Sequence, residues 1–274
     1  RIDGTQLPAA MIQLLKIEWL KLKRYRTFWV LTGLFILCFP ALTYLVYYFQ
    51  TQLPRQGRIL LDSIRFFQFP GIWQTAAYIG SFILILPGLL IITLITNEFV
   101  FRTHRQNIID GWSRMQFITA KWLMVAIFTL LACGCLVLTA LIFGWFTSDN
   151  PAFSDVMDGI SFLLYFFVVC LDYLSVAFLF GVLFKRAGLA IGLFFLYAWF
   201  IEKIAGLILY KYVENIGRFL PLASADHLIP NPLLRKIPGL KPDDTSPAIY
   251  FITALIYVAA FVFITFRWMK RSDL

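Results

Sequence analysis

Six long apolar runs leave this chain few ways to fold. They lie approximately at Thr27 to Phe49, Gly71 to Thr96, Lys121 to Phe146, Gly159 to Phe184, Gly188 to Leu209 and Ala248 to Phe266. A helix of about 20 apolar residues crosses the roughly 30 Å of a bilayer's hydrocarbon. In that medium each segment must satisfy its own backbone N–H and C=O groups, which a helix does internally. The expected fold is therefore an all-α integral membrane protein with six transmembrane helices, a single unit over residues 1–274. With 60% hydrophobic and only 14% charged residues, a soluble globule of this size is excluded. The stretches between runs stay under about forty residues, too short for an ordinary catalytic module.

Charge sets the expected orientation. An even number of spans puts both termini on one side, and Lys and Arg concentrate on the cytoplasmic side of short loops. Arg1, Lys16, Lys21, Lys23, Arg24, Arg26, Arg102, Arg105, Arg114, Lys121, Lys185, Arg186, Arg267, Lys270 and Arg271 fall on the side of the termini, 15 of the 24 bases. The chain is thus expected to keep both termini in the cytoplasm. Because the bases are scattered along membrane edges, the net charge of +9 reads as a topology signal, with membrane lipid as the partner and no nucleic acid. Residues 1–26 read as an interfacial helix: Met11, Ile12, Leu15, Trp19 and Leu22 share a stripe at helical spacing, while Lys16, Lys21, Lys23 and Arg24 lie mostly elsewhere. Its bases can hold anionic lipid or a partner protein.

The loop between the second and third runs, residues 97–120, is dense in polar groups. Thr103 can cap a short helix, Ile108 and Ile109 give it an apolar patch, and Gly111 can end it. Ser113 offers a second cap just before Arg114, at the start of the next span. The result is a compact knob, suited to a groove on a partner.

These residues carry a family resemblance. The order Glu98, Thr103, Ile108, Ser113, Arg114 resembles the cytoplasmic loop of ABC-2 type permeases, which tends to read E-x-x-x-G-T, a short helix with leucines, then P-x-S-R. Arg102 stands where that family usually has glycine and Gly111 where proline is common. The resemblance implies that the loop is a coupling helix docking on a separate nucleotide-binding subunit. Its contact set would be Glu98, Arg102, Thr103, His104, Arg105, Ile108, Ile109, Asp110, Ser113 and Arg114. It further implies an exporter of the bacterial inner membrane, with a second permease copy (a homodimer) or a similar permease and two ATPase subunits. ATP and Mg would be bound by those ATPase subunits and not by this chain. Residues 1–26 would be the connecting helix, 210–247 an extracytoplasmic cap, and Glu98 would brace the loop against a neighbouring base and transmit the push.

Inside the spans the charged exceptions are Asp172, Glu202 and Lys203. Charges at membrane depth are costly unless paired or facing water. Asp172 and Lys203, counted from the same side, reach nearly the same depth, so the expectation is an ion pair between neighbouring helices that either fixes their register or lines a path. Pro87 and Gly88 are a candidate hinge leading to the loop. Cys38, Cys133, Cys135 and Cys170 all sit in apolar runs, and His104 and His227 fall on opposite faces, so no metal site is expected. There is no G-x-x-x-x-G-K-[ST] phosphate loop and no catalytic constellation, so the chain reads as a transport subunit without catalytic residues. Two other readings stay open. One is a secondary transporter or channel using Asp172, Glu202 and Lys203. The other is a scaffold that moves nothing.

Overall fold

The structure is a computed structural model that describes residues 16–52, 65–101, 113–212, 216–233 and 245–271. All regular structure among them is helical. Six helices are long and apolar enough to cross a membrane: Arg26–Gln52, Gly71–Val100, Met115–Thr147, Phe153–Phe184, Ala187–Tyr212 and Pro247–Lys270. We number these spans one to six. A shorter helix over residues 16–23 precedes them and turns into span one at Arg24 and Tyr25. The bundle has a basic end, carrying that helix and the connections between spans two and three and between spans four and five, and a cap end.

Span four is the axis. It packs against spans two, three, five and six, and 67% of its most apolar window is buried, against 17% for each of spans one, five and six. Two stacked apolar clusters hold the bundle together. The one near the cap joins Phe39, Ile72, Trp73, Leu136, Phe166 and Tyr250. The one near the basic end joins Leu22, Phe28, Ile92, Phe117, Phe178 and Phe194.

Span two is two helices, Gly71–Ile83 and Ile85–Val100. Pro87 has no N–H to give to the carbonyl four residues back, at Ile83, and its ring crowds that carbonyl. The chain answers with a tightened turn: Leu84 has φ −59° and ψ −15° and donates to Ser81, and the regular pattern resumes with Gly88 donating to Leu84 at 3.0 Å. The break expected around Pro87 and Gly88 therefore sits one turn earlier. Gly88 has a packing role, since a Cβ there would come within 2.7 Å of the Phe194 ring of span five.

Span three begins earlier than its apolar run suggests. Its helix, Arg114–Thr147, starts seven residues before Lys121. Ser113 caps it as expected, its hydroxyl accepting from the Gln116 N–H at 3.2 Å while the Gln116 side chain accepts from the Ser113 N–H at 2.8 Å. At 1.5 Å per residue this 34-residue helix is about 50 Å long, some 20 Å more than the hydrocarbon. Hydropathy marks only the part in lipid, and a well-capped helix continues beyond it.

Span five contains a π turn, Tyr197–Ile201, immediately before Glu202. Beyond its end, the short helix Pro221–Asp226 folds back under the cap end and packs on spans four and six.

Candidate functional site

At the basic end four charges from three elements meet. Lys121 of span three lies 2.7 Å from Glu98 of span two and 2.5 Å from Glu18 of the leading helix. Lys21 adds 3.1 Å to Glu98 and 3.4 Å to Glu18. Glu18, Glu98 and Lys121 are each 5% exposed or less, while the Lys21 side chain remains 34% exposed. Each Glu thus faces two Lys, and the charges within the cluster cancel. Desolvating so many charges is tolerable only when each is paired and hydrogen-bonded, and removing one partner of a buried pair typically costs about 3–5 kcal/mol.

Local structure puts them there. In a helix, residues three apart share a face, so Glu18 and Lys21 present together toward the bundle, and Leu22 beside them inserts into the apolar cluster at 2% exposure. Lys121 sits two turns into the span-three helix, on the same side as Phe117, whose ring lies 5.5 Å from its ammonium. Lys185 closes the arrangement from the other side. It ends the span-four helix in a left-handed turn with φ 52°, and its ammonium lies 5.3 Å from the ring of Phe99, next to Glu98.

The leading helix, span two and span three are thereby tied at the two roots of the connecting loop. Glu98 and Ser113 flank it, and Arg114 is the first residue of the span-three helix. Arg102, Thr103, His104, Arg105, Ile108, Ile109 and Asp110 lie outside the described residues, as do Met11, Ile12 and Leu15 of the apolar stripe. The neighbouring base expected beside Glu98 is Lys121. Sequence reasoning missed Glu18, although one signal marked it: it is the only acid in the basic stretch from Lys16 to Arg26.

The pairing expected between Asp172 and Lys203 is not what forms. Lys203 donates instead to Asp226 of the cap helix at 2.7 Å, and Asp226 also accepts from the Tyr173 hydroxyl at 2.9 Å. Asp172 is fully buried, and both its oxygens lack a hydrogen-bond partner among the described residues. Equal depth does not give equal direction: neighbours in a helix point about 100° apart, so Tyr173 rather than Asp172 faces the cap. Glu202 also turns to the cap helix, where its Oε1 accepts from the Ala223 N–H at 2.6 Å. That helix starts at Pro221 behind Leu220, whose side chain makes no cap hydrogen bond, and a carboxylate suits the exposed N–H groups and positive dipole of a helix start.

The model of the family described as ABC-2 family transporter protein matches residues 14–200. The chain belongs to that family. The match takes in Glu18, Glu98, Lys121, the whole connecting loop and Asp172. No curated protein matches the chain. As an ABC-2 family member it is the permease component of an ABC transporter, a multi-pass transmembrane subunit without an ATPase site of its own, and such permeases associate with an ABC ATPase subunit.

Proposed function

We propose that this permease is driven by ATP hydrolysed on a separate ATPase subunit, with residues 97–120 as the coupling loop and export as the direction. The observation that carries the reading is the cluster of Glu18, Glu98, Lys121 and Lys21 at the roots of that loop. A push on the loop meets no slack there, because a buried ion network resists separation of its members. Displacement of the loop therefore moves span two, span three and the leading helix together.

In this reading the basic end faces the cytoplasm of a bacterial inner membrane, and the helix around Glu18 connects the ATPase to the bundle. The segment 210–247 caps the outer side. Two permease chains, two copies of this one or this one with a similar partner, work with two ATPase subunits that hold ATP and Mg. The span-two break at Leu84 gives the movement a place to pass from the loop half of the span to the cap half.

The test is co-purification of an ABC ATPase with the chain, followed by ATP-dependent transport in sealed vesicles. Ile108→Ala and Ile109→Ala weaken the docking of that ATPase if the loop's apolar patch seats in it, because a well-packed isoleucine contributes roughly 2–5 kcal/mol. Wild-type docking and transport in both variants would contradict the assignment.

A further inference from the structure

The leading helix over residues 16–23 has two faces. One is spent on the bundle: Glu18 and Lys21 enter the ion network and Leu22 enters the apolar cluster. At about 100° per residue these three share one arc of the helix, and Trp19, Lys23, Lys16, Leu20 and Ile17 take the rest of the circle. All five of those are exposed, Leu20 at 62% and Trp19 at 48%.

This outer face runs around the corner into span one. Arg24 and Arg26 at the corner are exposed, and the Trp19 ring meets the Trp29 ring edge-on at 6.2 Å. Trp29 is 51% exposed and held in place by its indole N–H, which donates to the Lys23 carbonyl at 3.1 Å. Val30 and Leu37, 65% and 70% exposed, carry the exposed side of span one onward. Bases, then indoles, then aliphatic side chains is the order found at a membrane interface, where Trp sits at headgroup level.

Charge on the outer face is one-sided. Among the described residues no acid pairs with Lys16, Lys23, Arg24 or Arg26, because Glu18, the one acid of this stretch, is turned inward to Lys121. The first turn of span one holds no acid either, although the start of a helix is its positive end.

We infer that this face binds anionic phospholipid from the leaflet at the basic end, the headgroup phosphate meeting Lys23, Arg24 and Arg26 and the upper part of an acyl chain lying along Trp19, Leu20 and Trp29. Guanidinium groups match phosphate oxygens with paired hydrogen bonds. An amphipathic face of this composition binds at a lipid interface by burying its apolar side chains and by attraction to anionic headgroups. The partner is lipid rather than a protein groove because the face passes without a break into the exposed side of span one, where the bilayer lies. The leading helix is then held from both sides, by the ion network within and by headgroups without. Binding of this kind needs only that the spans stand in a bilayer, and neither the ATPase nor ATP takes part.

The experiment places the full chain in phosphatidylcholine nanodiscs doped with a phosphatidylglycerol carrying a diazirine near its headgroup, or with a phosphatidylcholine of the same build. After irradiation the adducts are located by mass spectrometry. Residues 16–30 take the phosphatidylglycerol probe roughly fivefold more than the phosphatidylcholine probe, the ratio that one base engaged at an anionic surface gives, and the preference falls in high salt. Arg24→Gln with Arg26→Gln brings the two probes close to equal, while Arg24→Lys with Arg26→Lys keeps most of the preference, which separates lost charge from lost folding. Arg186→Gln with Arg267→Gln, two exposed bases elsewhere at the same end, leaves it near wild type. Equal labelling of residues 16–30 by the two probes in the wild-type chain overturns the inference, as does a preference that survives Arg24→Gln with Arg26→Gln or that both Gln pairs abolish alike. Addition of the ATPase leaves the preference in place; its loss on assembly would give the face to that protein and also overturn the inference. Docking of the ATPase on the loop is read separately through Ile108 and Ile109, so either result can fail while the other stands.

Discussion

The two ends of the bundle treat charge in opposite ways. At the basic end two acids and two bases close on one another, three of the four side chains nearly out of reach of water. At the cap end, among the described residues, both Asp172 oxygens lack a hydrogen-bond partner, Glu202 serves a backbone N–H, and Lys203 pairs with Asp226, the two side chains 57% and 26% exposed beside a cavity. A closed network holds three helices in one arrangement, as a part that transmits force requires. The cap end instead leaves three buried carboxylate oxygens, two of Asp172 and one of Glu202, without a hydrogen-bond partner among the described residues. The same residue types thus close on one another at one end and stand apart at the other, and the difference lies in whether each acid has a base among the described residues.

Single substitutions can break that contrast, beginning with the largest effect. Lys121→Met leaves Glu18 and Glu98 with only the partly exposed Lys21 between them and costs about 3–5 kcal/mol, the usual penalty for removing one partner of a buried charge pair. Thermal unfolding of the purified chain reads it as a markedly lowered midpoint, and an unchanged midpoint would mean that the cluster is open to water. Gly88→Leu forces a side chain against Phe194 and costs about 1–3 kcal/mol by overpacking. Phe194→Ala in the same chain should restore part of the loss, whereas simple additivity of the two changes would place the strain elsewhere.

The smaller effects belong to the cap end. Lys203→Met changes stability by only about 0–1 kcal/mol, since the pair is largely exposed and solvent already screens it. Asp172→Asn is neutral or mildly stabilising, because it keeps the side chain's shape at a buried position where no base among the described residues holds a carboxylate. A large loss on Asp172→Asn, measured by the same unfolding experiment, would show that Asp172 has a partner after all and would erase the contrast between the ends.

How much of this was legible beforehand follows from what hydropathy and spacing encode. They encode depth, so six spans could be read, and Pro87 announced a break through its missing N–H. The Ser113 cap was legible because its chemistry is local, one hydroxyl and the N–H three residues on. Direction around a helix axis is not encoded in depth, so Asp172 and Lys203 looked like partners until Tyr173 proved to be the residue facing the cap. The π turn at Tyr197–Ile201 carries no signature in a wholly apolar pentapeptide. Asp226 was hidden for a different reason: it reaches Lys203 only because the six-residue helix Pro221–Asp226 folds back onto spans four and six. Glu18 was readable in principle, as a lone acid among bases, but its buried partner, Lys121, lies 103 residues away in the chain.

The central claim is that the closed network carries the push from the ATPase, and Glu98→Gln tests it most directly. In proteoliposomes containing the permease with its ATPase, ATP hydrolysis and transport are measured together for wild type, Glu98→Gln and Asp172→Asn. The account predicts that Glu98→Gln keeps the ATPase bound and hydrolysing while transport per ATP falls roughly tenfold, as expected when about 1.4 kcal/mol of a charge-assisted contact is lost from the coupled step, and that Asp172→Asn leaves this ratio near wild type. A wild-type ratio of transport to hydrolysis in Glu98→Gln would contradict it.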